Sequence, residues 1–280
     1  MDKQKLLVII GNVSYDSNIY PSGEKRRIVS GAAYIVALAA SLFSKNIGIV
    51  TKLGSDFNLK YLQELQIDLS GVQLIKNAKT SRFYHTYKNN DQSQRIFKGE
   101  LTIGKTLSPN DIPKHFLSAK YIHVATMPPI QQKIFVDFLR KHSKANISID
   151  TLEDYILEWR DIVFDNFKKV DIAFVDKREH ELLETIKLKK VEIVIKKGKD
   201  GADDIYYKNY KKRVIHADAP IVAKVIDKTG AGDVLAGVFL TLIAKGKSRA
   251  YALSNAVKIA SISITNFGVR HLLEYTNERI

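Results

Sequence analysis

Apolar runs and mixed polar stretches alternate along this chain in a way that predicts strands followed by helices. Residues 6–11 read as a buried strand, with Leu, Val and Ile in succession. A polar segment containing Pro21 and Gly23 follows, and residues 27–30 read as an edge strand. Residues 31–45 have the length and small-residue content of a buried helix, and residues 47–53 are strand-like again. This β-then-α alternation predicts a parallel sheet covered by helices. Between Thr80 and Phe97 the pattern changes: SRFYHTY and QSQRIF alternate apolar and polar residues around Asn89, Asn90 and Asp91, as a hairpin with one wet face does. Such a piece does not fit inside a parallel sheet and is assigned to a small lid. Beyond it, residues 121–125, 146–150, 172–175 and 191–195 read as buried strands, and 205–207 with 212–215 as an antiparallel pair. The chain closes with an apolar helix over 233–245, stopped by Gly246, and a helix capped by Ser248 that ends before Gly268.

Composition narrows the setting. A chain of 280 residues that is 45% hydrophobic can bury a substantial core as one α/β domain. The absence of cysteine excludes disulfides and thiolate zinc sites, which fits a reducing compartment. The N-terminal MDKQKLLVIIGNVSYD lacks the longer apolar region and cleavage site of a signal peptide. The longest apolar stretch, residues 31–43, falls well short of the roughly 20 residues a bilayer span needs. The expectation is a soluble, cytoplasmic protein with no membrane partner. A net charge of +14 admits nucleic acid, an anionic surface or an anionic ligand such as ATP. The lysines, however, are dispersed among Asp and Glu. The two basic knots, GEKRR at 23–27 and Lys211, Lys212 and Arg213, accompany no nucleic-acid motif. No nucleic-acid partner is expected.

The most informative segment is Asp227-Lys228-Thr229-Gly230-Ala231-Gly232-Asp233, followed at once by the apolar helix. Gly230, Ala231 and Gly232 leave the backbone N–H groups at the helix start open to incoming oxygens, which makes an anion site. A carboxylate there, Asp233, either caps the helix or accepts a proton from a hydroxyl that attacks a phosphoryl group. No Walker-type loop occurs, and the glycine spacing misses the dinucleotide fingerprint.

DKTGAGD before an apolar helix closely resembles the C-terminal signature of the ribokinase/PfkB carbohydrate-kinase family, commonly DTTGAGD. Gly11 with Asp16, SGAAYIVALA, KLGSD at 52–56 and KKGKDG at 196–201 are similar to further family motifs and occur in the family's order. The resemblance implies a three-layer α/β/α ribokinase-like fold with a mostly parallel central sheet. A β-lid formed by about 17–30 and 79–104 would be inserted in this single domain, 1–280. It implies Asp233 as the catalytic base and Gly230, Ala231 and Gly232 as the anion hole. ATP would lie near Lys196, Gly198, Gly201 and Asn255, although Lys196 also reads as a surface lysine. Substrate hydroxyls would meet Asp16, Asn12 and Gly31. Asp176 and Glu179 stand where the family's Asn-x-x-Glu organises Mg²⁺ through water, and Asp keeps the oxygen ligand. Asp227 and Thr229 match positions that in many members help bind a monovalent cation such as K⁺; Ser263, Asn266 and Gly268 align loosely with the remainder of that site.

The glycine motif departs from the family. Ser30 replaces its first glycine, and Ile35 stands where an acceptor-contacting Asn is common. Tyr34 beside it either meets the acceptor or packs under the lid. Arg82 and Arg95, on the two arms of the hairpin, either meet an anionic acceptor or remain solvated, and Met127, Pro128, Pro129 and Asp150 either line the pocket or simply turn the chain. The leading expectation is ATP-dependent phosphorylation of a sugar or cyclic, inositol-like polyol. The alternative is a nucleoside kinase, for which Phe83, Tyr84 and Tyr87 offer stacking surfaces, and the third reading is a non-catalytic nucleic-acid-binding or regulatory module. A short lid with exposed edges often pairs with a second lid, so a homodimer is expected.

Overall fold

The computed structural model describes residues 4–89, 92, 94–183 and 191–275. Among them, nine strands form one sheet. These are β1 (Leu7–Ile10), β4 (Ile47–Gly54), β5 (Asp68–Ile75), β8 (Tyr121–Val124), β9 (Asn146–Asp150), β10 (Ile172–Asp176), β11 (Glu192–Lys196), β12 (Ala202–Lys208) and β13 (Lys211–Ala217). Their order is β13-β12-β11-β10-β9-β8-β1-β4-β5. Pairing is parallel from β11 to β5, and β12 and β13 add the expected antiparallel edge.

Both faces of the sheet are covered, as strands built of consecutive apolar residues require. Leu7 and Ile9 face one core, Val8 and Ile10 the other. The first core is closed by α1 (Ala32–Ser41), α2 (Lys60–Gln63), α7 (Ala231–Ala244) and α8 (Arg249–Ser263). The second is closed by α3 (Pro129–His142), α4 (Glu153–Glu158), α5 (Arg160–Lys168) and α6 (Lys177–Leu183). The three-layer α/β/α architecture expected from the sequence is therefore present. Chain order reverses between β1 and β8, so ligands are expected beyond the carboxyl ends of those two strands.

Two glycines fix where α1 and α7 lie. Gly31 precedes α1 with φ 93°, and a Cβ there would stand 2.5 Å from Asn12 O. Gly237 lets α7 press on α1, since a Cβ there would stand 2.4 Å from Val36 O. Ser248 caps α8 by accepting a hydrogen bond from Tyr251 N at 3.2 Å, and Gly246 follows α7 at φ 79°.

A second sheet stands over this body, in the order β3-β2-β6-β7, built from β2 (Ser14–Ile19), β3 (Lys25–Ser30), β6 (Ser81–Tyr87) and β7 (Arg95–Glu100). The expected hairpin is its β6–β7 half, although turn residues Asn90 and Asp91 lie outside the described residues. The sheet starts at Ser14 rather than near 17, because β2 pairs in parallel with β6 and antiparallel with β3. Its buried positions Ser14, Asp16 and Asn18 are polar, so no hydrophobic alternation marks β2 as a strand. Among the described residues, no helix is long and apolar enough to cross a membrane.

One buried group gives the body a titratable weak point. His123 on β8 is fully buried; its Nδ1 lies 3.0 Å from Ser148 Oγ, and its ring meets Phe174 edge-on. Burial, helped by the charge of Lys196, brings its pKa from 6.5 down to about 3. Below the unfolded value of 6.5 the unfolded chain takes up a proton that the folded chain refuses, so stability falls as the pH drops from 6.5 toward 3. Urea unfolding at pH 7 and pH 5 should show His123→Leu losing about 2 kcal/mol of the wild-type difference. An unchanged difference would assign the acid sensitivity elsewhere.

Candidate functional site

Three cavities meet at the start of α7. Gly230 is its N-cap with φ 79°, a left-handed conformation that glycine adopts without strain. A Cβ on Gly230 would stand 2.4 Å from Ile35 Cδ1, and one on Gly232 would stand 3.1 Å from Lys196 Cδ. The glycines thus admit α1 on one side and the end of β11 on the other. First-turn N–H groups have no carbonyl partner within a helix, and the helix dipole is positive there. Asp233 shares this first turn and is half-buried.

The first cavity, about 310 Å³, lies between the second sheet and the body, with Asp233 and Gly230 at its inner end. It is lined by Asn12, Asp16, Ser30 and Gly31 on its polar side. Ser14 Oγ donates to Asp16 Oδ1 at 2.7 Å, and His85 Nε2 lies 3.4 Å from Asp16 Oδ2. Asn12 Oδ1 is buried without a protein partner, although the residue lines the cavity. Phe83, His85 and Phe97 form the roof, and Tyr155 and Met127 complete the walls. Sequence reading missed His85, Phe97 and Tyr155. The two-residue period of β6 puts Phe83, His85 and Tyr87 on one face and was the available signal for His85.

The expected Tyr34 contact is not made, and Arg82, for which contact and solvation were both open, is engaged elsewhere. Tyr34 is fully buried in the core shared by α1, α7 and α8, and Ile35 faces the cavity instead. One residue along a helix turns the side chain by about 100°, so both cannot look the same way. Arg82 pairs with Asp56 at 2.8 Å, and the same carboxylate accepts from Thr80 N at 2.8 Å; Arg82 therefore braces the entry to β6 and does not line the cavity. The Arg95 side chain lies outside the described part of β7. Tyr84 is exposed.

The second cavity, about 550 Å³, runs along the other side of α7 and is lined by Lys196, Gly198 and Gly201, with Ala231 and Gly232 at its inner end. Gly201 has φ 79°, and a Cβ there would overlap Ala217 O at 1.9 Å. Pro220, Ile221 and Val225 form an apolar rim, with Ile221 101% exposed. Asn255 is not part of the lining. The face of α8 toward the cavity is Val257, Ala260, Ser261 and Ile264, whereas Asn255 turns back and donates to Tyr251 O at 2.8 Å.

Between the two cavities Lys196 Nζ holds both oxygens of buried Asp150 at 2.8 Å. Burial works against the ammonium, yet Asp150, Glu179 and Asp233 hold its pKa above the ordinary lysine range. A third cavity, about 720 Å³, opens beside Gly230 and carries Asp176, Glu179, Glu153 and Asp154. Asp176 and Glu179 cap α6 reciprocally: Glu179 N donates to Asp176 Oδ1 at 2.8 Å, and Asp176 N donates to Glu179 Oε2 at 2.7 Å. Burial pushes the Glu179 carboxyl up to about 8, against the pull of Lys196 and with the help of Asp150 and Asp176. Asp176 and Glu179 offer oxygen atoms of the kind a hard cation such as Mg²⁺ takes, but no group of three or more such side chains among the described residues could hold an ion by itself, so water would have to complete its shell.

Asp227 is not open in the same way. It is buried, with Thr229 N at 2.9 Å and Thr229 Oγ1 at 2.6 Å donating to Oδ1, and Tyr20 Oη at 2.8 Å and Gly268 N at 3.0 Å donating to Oδ2. Ser263 Oγ is turned to Ala260 O, and Asn266 Oδ1 accepts from Phe267 N.

The model of the pfkB family carbohydrate kinases matches residues 4–275. A cytidine kinase of Thermococcus kodakarensis is 30% identical over 269 residues, covering 90% of this chain and 92% of the relative. The structure of a Burkholderia thailandensis nucleoside kinase in complex with inosine superposes with TM-score 0.80 at 17% identity, over 97% of this chain and 99% of that one. A putative ribokinase II from E. coli in complex with ATP and Mg²⁺ superposes with TM-score 0.78 at 19% identity, over 99% and 100%.

The Asp150–Lys196 pair sets a stability expectation. Lys196→Met leaves a carboxylate buried without its cation, which typically costs about 3–5 kcal/mol. Urea unfolding at pH 7 should show a loss of that order. A loss below about 1 kcal/mol would mean that Asp150 is solvated in the folded state.

Proposed function

The chain belongs to the pfkB family of carbohydrate kinases, an ATP-dependent phosphotransferase with a hydroxyl acceptor, and from that premise we propose that its acceptor is a nucleoside. The observation that carries this reading is the roof of the first cavity. Phe83, His85 and Phe97 lie together there, with His85 and Phe97 ring centroids 5.2 Å apart and Phe83 and Phe97 5.6 Å apart. A planar base finds stacking partners under that roof. Asp16 and Asn12 on the polar side are acceptor groups for sugar hydroxyls. A sugar or cyclic polyol would use the same polar side but leave the aromatic roof without a partner. At about 310 Å³ the cavity is at the small end of ligand sites, which suits a compact nucleoside. Two of the similar proteins, a cytidine kinase and a nucleoside kinase solved with inosine, support the same reading.

In this reading ATP occupies the second cavity, its base against the exposed apolar rim and its phosphates directed at the start of α7. Asp233 is the general base that accepts the proton of the attacking hydroxyl. The N–H groups of Gly230, Ala231 and Gly232 stabilise charge on the transferring phosphoryl group, where positioning matters more than covalent help. Lys196 offers its ammonium beside Gly232 while Asp150 fixes its direction. Magnesium, held through water by Asp176 and Glu179, would offset phosphate charge when bound.

An ATP-consumption screen over cytidine, uridine, inosine, adenosine, ribose and myo-inositol tests the acceptor. A nucleoside should be turned over with the highest kcat/KM. A sugar or polyol turned over faster than every nucleoside would reject the assignment. On the best acceptor, Asp233→Asn should lose about 10²–10⁴-fold in kcat while still binding ATP by calorimetry. Wild-type turnover by that variant would remove Asp233 from the mechanism.

A further inference from the structure

Four residues of the second sheet and its loops converge on the segment that leads into α7. Asn18 Nδ2 lies 3.4 Å from Thr229 Oγ1, and Tyr20 Oη donates to Asp227. Tyr87 Oη pairs with Thr229 Oγ1. Gln92 brackets the backbone, donating to Ile226 O at 2.7 Å and accepting from Lys228 N at 2.9 Å.

Tyr20 is the critical member. Asp227 is 1% exposed, and among the described residues no ion pair involves it. Its charge is compensated by hydrogen bonds alone. A carboxylate offers about four lone-pair sites, and Asp227 receives four donors, two on each oxygen. Three of these come from Thr229 and Gly268, in the body; only the Tyr20 hydroxyl comes from the overlying sheet. Its ring is held by stacking on Tyr87, with centroids 5.5 Å apart, and by a tilted contact with Phe267 at 5.0 Å. Asn18 Nδ2 donates to Tyr20 Oη at 3.2 Å, which leaves the phenol proton directed at Asp227. Burial and the neighbouring Asp227 charge raise the Tyr20 pKa, so the phenol stays a donor.

A filled shell does not fit a monovalent cation at Asp227, because an ion would have to displace one of these donors. We propose that Tyr20 is a positioning residue for phosphoryl transfer: its hydroxyl completes the shell of Asp227 in place of a cation, and through Thr229 it couples the lid to the anion-hole turn at Gly230. Thr229 is both a donor to Asp227 and the residue before that turn, so the carboxylate sets where the N–H groups of α7 point.

The proposal rests on the kinase reading, and the two are separable. Turnover of any acceptor by the wild type tests the reading; the ratio of variant to wild type on that acceptor tests Tyr20. Rates would be measured for wild type, Tyr20→Phe and Tyr87→Phe in sodium, potassium and tetramethylammonium chloride at equal ionic strength. The wild type should run at the same rate, within about twofold, in all three salts. Tyr20→Phe should lose roughly tenfold in kcat, the equivalent of one charged hydrogen bond, with its KM for ATP little changed. Potassium should restore part of that loss and tetramethylammonium none, because the vacated site on Asp227 becomes available to a small cation. Tyr87→Phe leaves the Asp227 shell complete and should show a smaller loss with no response to the salt. Hydrogen exchange provides a readout independent of turnover: amides of 226–233 should exchange faster in Tyr20→Phe and be slowed again by potassium. A wild type that needs potassium would overturn the proposal, as would a Tyr20→Phe enzyme with unchanged kcat. A Tyr20→Phe loss indifferent to salt, with exchange at 226–233 unchanged, would reduce Tyr20 to packing.

Discussion

The positive end of a buried helix governs this molecule. The first turn of α7 presents backbone N–H groups where two cavities meet, and such groups need an anion or water. Every neighbouring element is shaped by keeping that turn open. Gly230 gives way to Ile35, and Gly232 gives way to Lys196. Lys196 brings a second positive charge but is itself restrained by Asp150. Asp176 and Glu179 line the adjoining cavity, which opens beside Gly230. The +14 net charge of the chain matters less than this local arrangement.

Much of this was legible in the sequence. Strands buried on both faces declare themselves by short, mostly apolar runs, as in β1, β4, β8, β10 and β11, and β9 sets the buried Ser148 between Ile147 and Ile149. The glycines before α7 and the cap at Ser248 were readable because backbone conformation restricts which residues can serve there. What escaped is equally physical. Strand β2 turns Ser14, Asp16 and Asn18 inward, since it borders a site rather than a core, and a polar inner face has no hydrophobic signature. Strand β5 has an irregular pattern of burial and was not foreseen.

The failures at single residues share a cause. Tyr34 was weighed as a contact because it adjoins Ile35, which stands at the family's acceptor-contacting position, yet a helix presents neighbouring residues in directions about 100° apart. Ile35 lines the first cavity and Tyr34 does not; on α8 it is Val257, Ala260 and Ser261 that line the second cavity, not Asn255. Tyr20 was missed for a different reason. It lies 207 positions from Asp227 in the chain, and only the folded second sheet brings its hydroxyl to that carboxylate. Local reading registers spacing and caps; it cannot register which distant donor fills the last lone pair of a buried acid.

The close approach at Gly237 decides which part of the molecule is held fixed. With Val36 O lying 2.4 Å from the position of a Cβ on Gly237, α1 and α7 interlock to less than a methyl group's width. The start of α7 therefore has no room to slide along its neighbour toward a bound molecule. Its opposite wall, the four-stranded sheet, is tied to the body by the apolar contacts of Tyr15 and Val29, by the rings of Tyr20 and Phe267 and by the hydrogen bonds of Asn18, Tyr20, Tyr87 and Gln92. The interlocked pair of α1 and α7 is thus the fixed reference against which the reacting atoms are aligned.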